Sequence, residues 1–208
     1  MDSGAFSTIL THGGCPEGPE VYAAHIRRWA ENGELLAAVA QDYMCESVML
    51  RITGLTVAEH QRLTIERYDA LLKCDSGGVY IMPVLQGFTP AEYVDHIKQY
   101  GDRLTIGMWV GVGSVCKRNA DIGAIEAVLL AIRSARPDLR LHGFGLKTTA
   151  LSSATVREML ETADSMAWSF AARKQGRNAN DWREAAAFAA KIDGQRPVAT
   201  LLSMMVAA

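Results

Sequence analysis

A chain of 208 residues, 49% hydrophobic and 21% charged, is ordinary in composition for a globular protein and long enough for one domain with a sizeable core. The net charge of −2 excludes the overall basic character that marks non-specific nucleic-acid binding, so any such surface has to be local. No apolar run reaches the length of a membrane span and no basic-then-apolar leader precedes a cleavage site, which points to the cytoplasm and away from a membrane partner.

Met1-Asp2 reads as the end of a strand, and residues 18–31 as the first amphipathic helix. The apolar run 35–40 is a strand that stops at Gln41-Asp42. A helix follows over 56–73, where Thr56 and Glu59 have the spacing of a capping box. The run 79–85 is a second strand, ending at Gln86-Gly87. Thr89 caps a helix over 90–100, with Pro90 at its first position. A strand over 104–112 runs into the glycine-bearing cluster 111–114. Ile122, Ile125, Val128, Leu129 and Ile132 recur at helical period within 121–133. The strand 139–144 contains His142-Gly143, and a helix spans 152–161. A weaker apolar run, 163–170, is the fifth strand and carries Asp164-Ser165; a helix over 181–192 comes next, and residues 197–206 form one more strand or a terminal helix.

Strands and helices alternating over such short connections predict an α/β fold with a parallel sheet buried on both faces. On pattern alone the sheet could be open or closed. Nearly every strand is followed at once by polar residues or glycine, which is how the mouth of a (β/α)8 TIM-type barrel is built. Gly111-Val112-Gly113 lacks the third glycine of a dinucleotide fingerprint. The expectation is a single barrel domain over 1–208. Five strands plus one strand end fall short of eight, so the barrel is expected to be incomplete at its N-terminus.

The strand ends offer the carboxylates Asp2, Asp42 and Asp164, the amide of Gln86, the thiol of Cys45, the glycines Gly87, Gly111 and Gly113, and His142. With few histidines, no His-Glu-x-x-His and no Gly-x-Ser-x-Gly, neither a hydrolytic metal site nor a serine triad is supplied. Cysteines at 15, 45, 74 and 116 lack zinc-knuckle spacing, so no metal or other cofactor is expected. Carboxylates, an amide and small residues suit a flat, hydrogen-bonding heterocycle, with acid–base or nucleophilic work by an aspartate. Lys117-Arg118 and Arg173-Lys174 are the local basic candidates for phosphate contact. Each residue also has a plainer reading: Asp2 as a loose terminus, Asp42 and Asp164 as loop or helix caps, His142 as a core histidine, the basic pairs as solvated loops.

Six motifs in order, over residues 1 to about 170, resemble the queuine/archaeosine tRNA-guanine transglycosylases. They are Asp2-Ser3-Gly4-Ala5-Phe6, Asp42-Tyr43-Met44-Cys45-Glu46, Val84-Leu85-Gln86-Gly87, Gly111-Val112-Gly113-Ser114, His142-Gly143-Phe144-Gly145 and Ala163-Asp164-Ser165. The runs at 111–118 and 164–169 resemble the phage and bacterial branch that modifies DNA, and the zinc motif of the tRNA enzymes is absent, so DNA is favoured over tRNA. The resemblance implies exchange of guanine for a small 7-deazaguanine such as preQ0. In that scheme Asp164 is the nucleophile and Asp2 the general base. Asp42 and Gln86 bind the base, with Cys45 on the floor, Gly113 presenting its backbone, and Gly87 and His142 at the mouth. Lys117, Arg118, Arg173 and Lys174 would hold phosphates. A non-catalytic fragment that binds DNA or a partner protein, or a homo-oligomer, is the alternative that the short strand count suggests.

Overall fold

The computed structural model describes residues 1–118, 121–195 and 198, and of Lys117 only the main chain. Its framework is six short parallel strands in two hydrogen-bonded sets: β1 (Ala37–Val39) pairs with β2 (Tyr80–Met82), and β3 (Val84–Leu85), β4 (Trp109–Val112), β5 (Arg140–Gly143) and β6 (Thr162–Ala163) pair in chain order. Pro83, which has no N–H to donate, divides the expected strand 79–85 into β2 and β3. Its carbonyl still accepts from Gly111 N–H at 2.9 Å, so β4 runs past both pieces. Met1 extends the array on the other side, its nitrogen 2.7 Å from Ala37 O and its carbonyl accepting from Val39 N–H at 2.9 Å. The predicted strand end at Met1-Asp2 therefore lies beside β1. A parallel α/β sheet is present; closure into an eight-stranded barrel is not seen among the described residues.

From β1 to β4 both faces of the strands are buried or half-buried, whereas both residues of β6 are exposed, and alternation decides what each face carries. Ala38, Ala40, Ile81, Leu85, Val110, Val112 and Leu141 face the helices, in one cluster with Ile26, Leu71, Tyr93, Ile97, Ile125, Leu129 and Ile132. Ala37, Val39, Met82 and Val84 form a second cluster on the opposite, inner face, packed with Tyr80, Trp109 and Phe144. The helices that cover the outer face are α2 (Pro19–Asn32), α4 (Val57–Leu71), α5 (Pro90–Tyr100) and α6 (Ile122–Ala135). Thr56 and Thr89 make the full capping boxes with Glu59 and Glu92, and Asp121 caps α6 through Ala124 N–H.

Three expectations change. The run 163–170 is not a strand: β6 stops at Ala163, and α9 (Ala167–Lys174) buries Ser169 and Ala172, three residues apart and so on one helical face. The strand in 104–112 begins only at Trp109, because Gly107 turns the chain at φ +75°. The helix expected over 152–161 is shorter, α8 (Ala154–Met159), capped by Ser153, and a separate one-turn helix that was not expected, α7 (Thr148–Leu151), precedes it. Helices α1 (Ala5–His12) and α3 (Ser47–Thr53) follow the first two strand ends, and α10 (Trp182–Asp193) follows α9. Apart from Val198, which bridges to Ser153, the segment 197–206 lies outside the described residues. No helix among those residues is long and apolar enough to cross a membrane.

Candidate active site

The strands end on one side, and there a cavity of about 520 Å³ opens, the size of a small-molecule site. Its polar wall comprises Asp2 beside β1, Asp42 and Glu46 after β1, Gln86 after β3, Gly113 and Ser114 after β4, and Asp164 after β6. Phe6, Val39, Met44, Phe144 and Met166 give it apolar surface, including two aromatic rings. Asp2 and Asp164, far apart in sequence, line the same space.

On one side the site is buried and heavily braced. Gln86 is fully buried at the end of β3. Its backbone N–H donates to His96 Nδ1 at 2.8 Å, and its carbonyl accepts from Gln61 Nε2 at 2.8 Å. Burial holds His96 at a pKa of about 4, so its ring stays neutral, with Nε2–H donating to Gln61 O at 3.1 Å. The Gln86 amide donates to Asp42 Oδ2 and accepts from Ser114 Oγ at 2.7 Å. Ser114 Oγ in turn accepts from Cys45 N–H at 3.0 Å. The loop that carries Asp42 is tied to α4: Tyr43 N–H donates to Thr64 Oγ1 at 2.9 Å, and Met44 O lies 2.7 Å from His60 Nδ1.

Gly113 is bare so that this arrangement can exist, since a Cβ there would lie 2.5 Å from Gln86 Cδ. Two residues earlier on the same face, a Cβ on Gly111 would meet the Phe144 ring at 2.6 Å. The Gly-Val-Gly run is thus a strand end stripped on its inner face to let Gln86 and Phe144 cross it.

Asp42 is 8% exposed, and its pKa is pushed up to about 7. Burial is the main cause, the Gln86 amide opposes it, and the charge of Asp2 adds to the rise. Near neutral pH this carboxyl is therefore shared between a protonated form, which can donate as well as accept, and an ionised form, which only accepts.

The other side is open. The Asp164 side chain is 52% exposed. Its Oδ1 accepts from Gly145 N–H at 2.8 Å and lies 3.4 Å from His142 Nε2. Burial pushes its pKa upward, but the His142 and Gly145 contacts outweigh it, leaving the carboxyl below the ordinary aspartate value. Asp164 is thus an ionised carboxylate with both contacts on one oxygen. Asp2 is exposed and accepts from Gly4 N–H at 3.3 Å in a local turn.

The sequence candidates divide. Asp2, Asp42, Gln86, Gly113 and Asp164 line the cavity. Cys45 does not: it is fully buried behind the wall, burial raises its thiol pKa, and its backbone orients Ser114. Gly87 packs on Glu92 and Tyr93, and its glycine leaves 3.1 Å for each at the Cβ position. His142 sits behind Asp164. Arg118 is folded onto the loop after β3, its guanidinium 4.6 Å from the Phe88 ring centroid and bonded to Phe88 O. Arg173 and Lys174 are exposed at the far end of α9, and Lys174 Nζ lies 4.7 Å from the Phe170 ring centroid. The side chain of Lys117 lies outside the described residues.

Glu46, Ser114, Phe6 and Phe144 stand within the motifs quoted from the sequence but carried no assigned role there. Glu46 is 4% exposed at the start of α3, with Cys116 Sγ 4.0 Å from its Oε1. The signal for Ser114 was weak but present: it directly follows the stripped strand end and is the one described non-glycine residue with positive φ, +56°.

Residues 1–183 match the family model DpdA, described as DeoxyPurine in DNA protein A. No protein of curated function matches the chain.

Proposed function

The chain belongs to the DpdA family, DeoxyPurine in DNA protein A, and we propose that it replaces guanine in DNA with a 7-deazaguanine base such as preQ0 through a covalent aspartyl-glycosyl intermediate. The observation that carries this reading is the pairing, in one cavity, of an ionised aspartate held by one oxygen with a second exposed carboxylate and a buried Asp42–Gln86 recognition pair. The strands' sequential parallel order supports reading the fold as a run of a (β/α)8-type barrel with its chemistry at the C-terminal mouth.

In the first step the free Oδ2 of Asp164 bonds to C1′ of the target deoxynucleoside. The C1′–N9 bond breaks and its electron pair leaves with guanine. Positive charge develops on the sugar in passing, and the carboxylates around the cavity stabilise it, as in retaining glycoside hydrolysis. In the second step Asp2 takes the N9 proton of the incoming base. The freed nitrogen pair bonds to C1′ and expels the Asp164 carboxylate. Phe6 and Phe144 offer faces for the flat ring, and Asp42 with Gln86 offers donor and acceptor atoms to its edge. The target base must leave the helix to enter, at a cost of a few kcal/mol that single-stranded DNA avoids.

The test is uptake of radiolabelled guanine, then of preQ0, into matched DNA and tRNA, with the adduct trapped by denaturation. Label in DNA and an adduct on Asp164 are the expected results. Label in tRNA alone, or in neither polymer, would overturn the proposal.

A further inference from the structure

Three neighbouring strands place a chain of hydrogen bonds beneath Asp164. Trp109 on β4, His142 on β5 and Thr162 on β6 all use the inner face; Gly111, two residues after Trp109, pairs in register with His142, and His142 with Thr162. Trp109 Nε1 donates to Thr162 Oγ1 at 3.1 Å. Thr162 Oγ1 lies 2.8 Å from His142 Nδ1, and His142 Nε2 lies 3.4 Å from Asp164 Oδ1. Phe144 and Trp109 fix the imidazole edge-on, at 4.8 and 5.9 Å between centroids. Tyr80 stacks on Trp109, and its hydroxyl donates to Trp109 O at 2.5 Å.

We propose that His142 is a positioning residue for Asp164, set in the Nε2–H form by the Trp109–Thr162 pair. This rests on the reading of Asp164 as the nucleophile. An indole N–H only donates, so Thr162 Oγ1 accepts from Trp109 and its own proton is available to His142 Nδ1; the hydroxyl could also accept from Nδ1–H, but that neutral form would turn the Nε2 lone pair on the Asp164 carboxylate, which only accepts. A neutral ring that accepts at Nδ1 carries its proton at Nε2, facing Asp164. A protonated ring carries it there too, with Nδ1–H then donating to Thr162. In both charge states Asp164 Oδ1 meets a donor.

Two donors on Oδ1, Gly145 N–H and His142 Nε2–H, stop the carboxylate from turning and leave Oδ2 for C1′. The Nε2 contact is long, as catalytic contacts in empty sites commonly are. Without the Thr162 hydroxyl the ring is free to take the other tautomer, which turns a lone pair on the carboxylate. The other ionisable groups that share a cavity with Asp164 are Asp2, Asp42, Glu46 and Cys116 on the mouth side, and Arg157, Glu161 and Asp193 behind β6.

The experiment compares His142→Ala, His142→Gln and Thr162→Val in the full chain. It reads the acid midpoint of kcat/KM for guanine exchange into DNA and, independently of turnover, the Asp164 carboxyl titration by NMR. His142→Ala should raise both midpoints by about one pH unit and lower kcat about 10- to 100-fold, with KM for DNA unchanged. Thr162→Val should move them the same way by less. His142→Gln, whose amide nitrogen can replace Nε2–H, should stay near the parent protein. An unmoved carboxyl titration in His142→Ala overturns the proposal, whatever happens to the rate. Exchange that survives in Asp164→Asn would instead sink the nucleophile reading beneath it.

Discussion

The two walls of the cavity are built on opposite principles. Gln86 and Asp42 are buried, and every polar atom of the Gln86 side chain and backbone bonds to protein. Asp164 and Asp2 are exposed, with few partners, and neither is needed by the core. A group that recognises an edge by hydrogen bonds has to be fixed before the ligand arrives, because the cost of ordering it would otherwise weaken binding. A group that attacks has to be ionised and reachable. The difference appears in the carboxyls themselves, with Asp42 pushed up to about 7 and Asp164 held below the usual range.

The largest effect should come from the open wall. Asp164→Asn should abolish base exchange, by about 10⁴-fold or more, and eliminate the trapped adduct; Asp2→Asn should lower the rate about 10²- to 10⁴-fold. Thermal unfolding should barely change in either variant, because neither side chain packs in the core. Exchange assays with melting curves check both at once. A large loss of stability in Asp164→Asn would break the contrast between the walls.

The braced wall should respond in the reverse way. Gly113→Ala forces Gln86 from its place, since the new methyl group overlaps the amide that Asp42 and Ser114 hold. Losing these two internal hydrogen bonds, at about 1 kcal/mol each, together with the overlap should cost about 1–3 kcal/mol of stability, and displacing the amide from the cavity edge should raise KM for free guanine about 10-fold. A variant with unchanged KM would mean that Gln86 does not read the base.

Asp42 adds a pH signature. Its folded pKa of about 7 lies above the ordinary value of 3.8, so folding favours the protonated form. The associated stability is fully present below about pH 4 and is lost as pH rises through 7. The melting temperature of the parent protein should therefore decline across that window relative to Asp42→Asn, in which the difference disappears. Asp2→Asn should move the decline to lower pH, because the Asp2 charge is one cause of the rise. A parallel pair of pH profiles would show that Asp42 ionises as if in water.

Much of this is legible in the sequence, though unevenly. Capping boxes at Thr56 and Thr89 are local chemistry, readable because the partners lie three residues apart. Strand-end residues were readable because alternation and a following glycine mark where a strand meets its loop. Gly111 and Gly113 were readable as strand-end glycines, but not the side chains that cross them; Gln86 and Phe144 come from neighbouring strands whose register no local pattern encodes. For the same reason His142 read as a mouth residue when it lies behind Asp164. Glu46 was hidden in the loop after β1, where the short helix α3 returns it to the cavity. Run 163–170 misled because apolar content alone does not separate a strand from a helix; the i, i+3 burial of Ser169 and Ala172 does, and burial is what the sequence withholds.

The smallest effect should lie outside both walls. Met166, immediately before α9, lines the cavity, and Arg173 and Lys174 close the helix about 12 Å farther on, roughly three to four base steps of DNA away. Both side chains are exposed, so if they hold phosphates they do so as surface charges, without reading sequence. Each then releases condensed counterions, and its removal should reduce the slope of log K against log salt by about 0.7–0.9. The double variant Arg173→Ala, Lys174→Ala should bind DNA severalfold more weakly at physiological salt, equally for all sequences, with kcat at saturating DNA unchanged. Arg118→Ala should behave differently, because that guanidinium is already engaged with Phe88 and its removal loosens the loop after Gln86. It should raise KM for free guanine as well as for DNA. Equal salt slopes in the parent and the double variant would remove α9 from the nucleic-acid surface and leave the contrast between the two cavity walls as it stands.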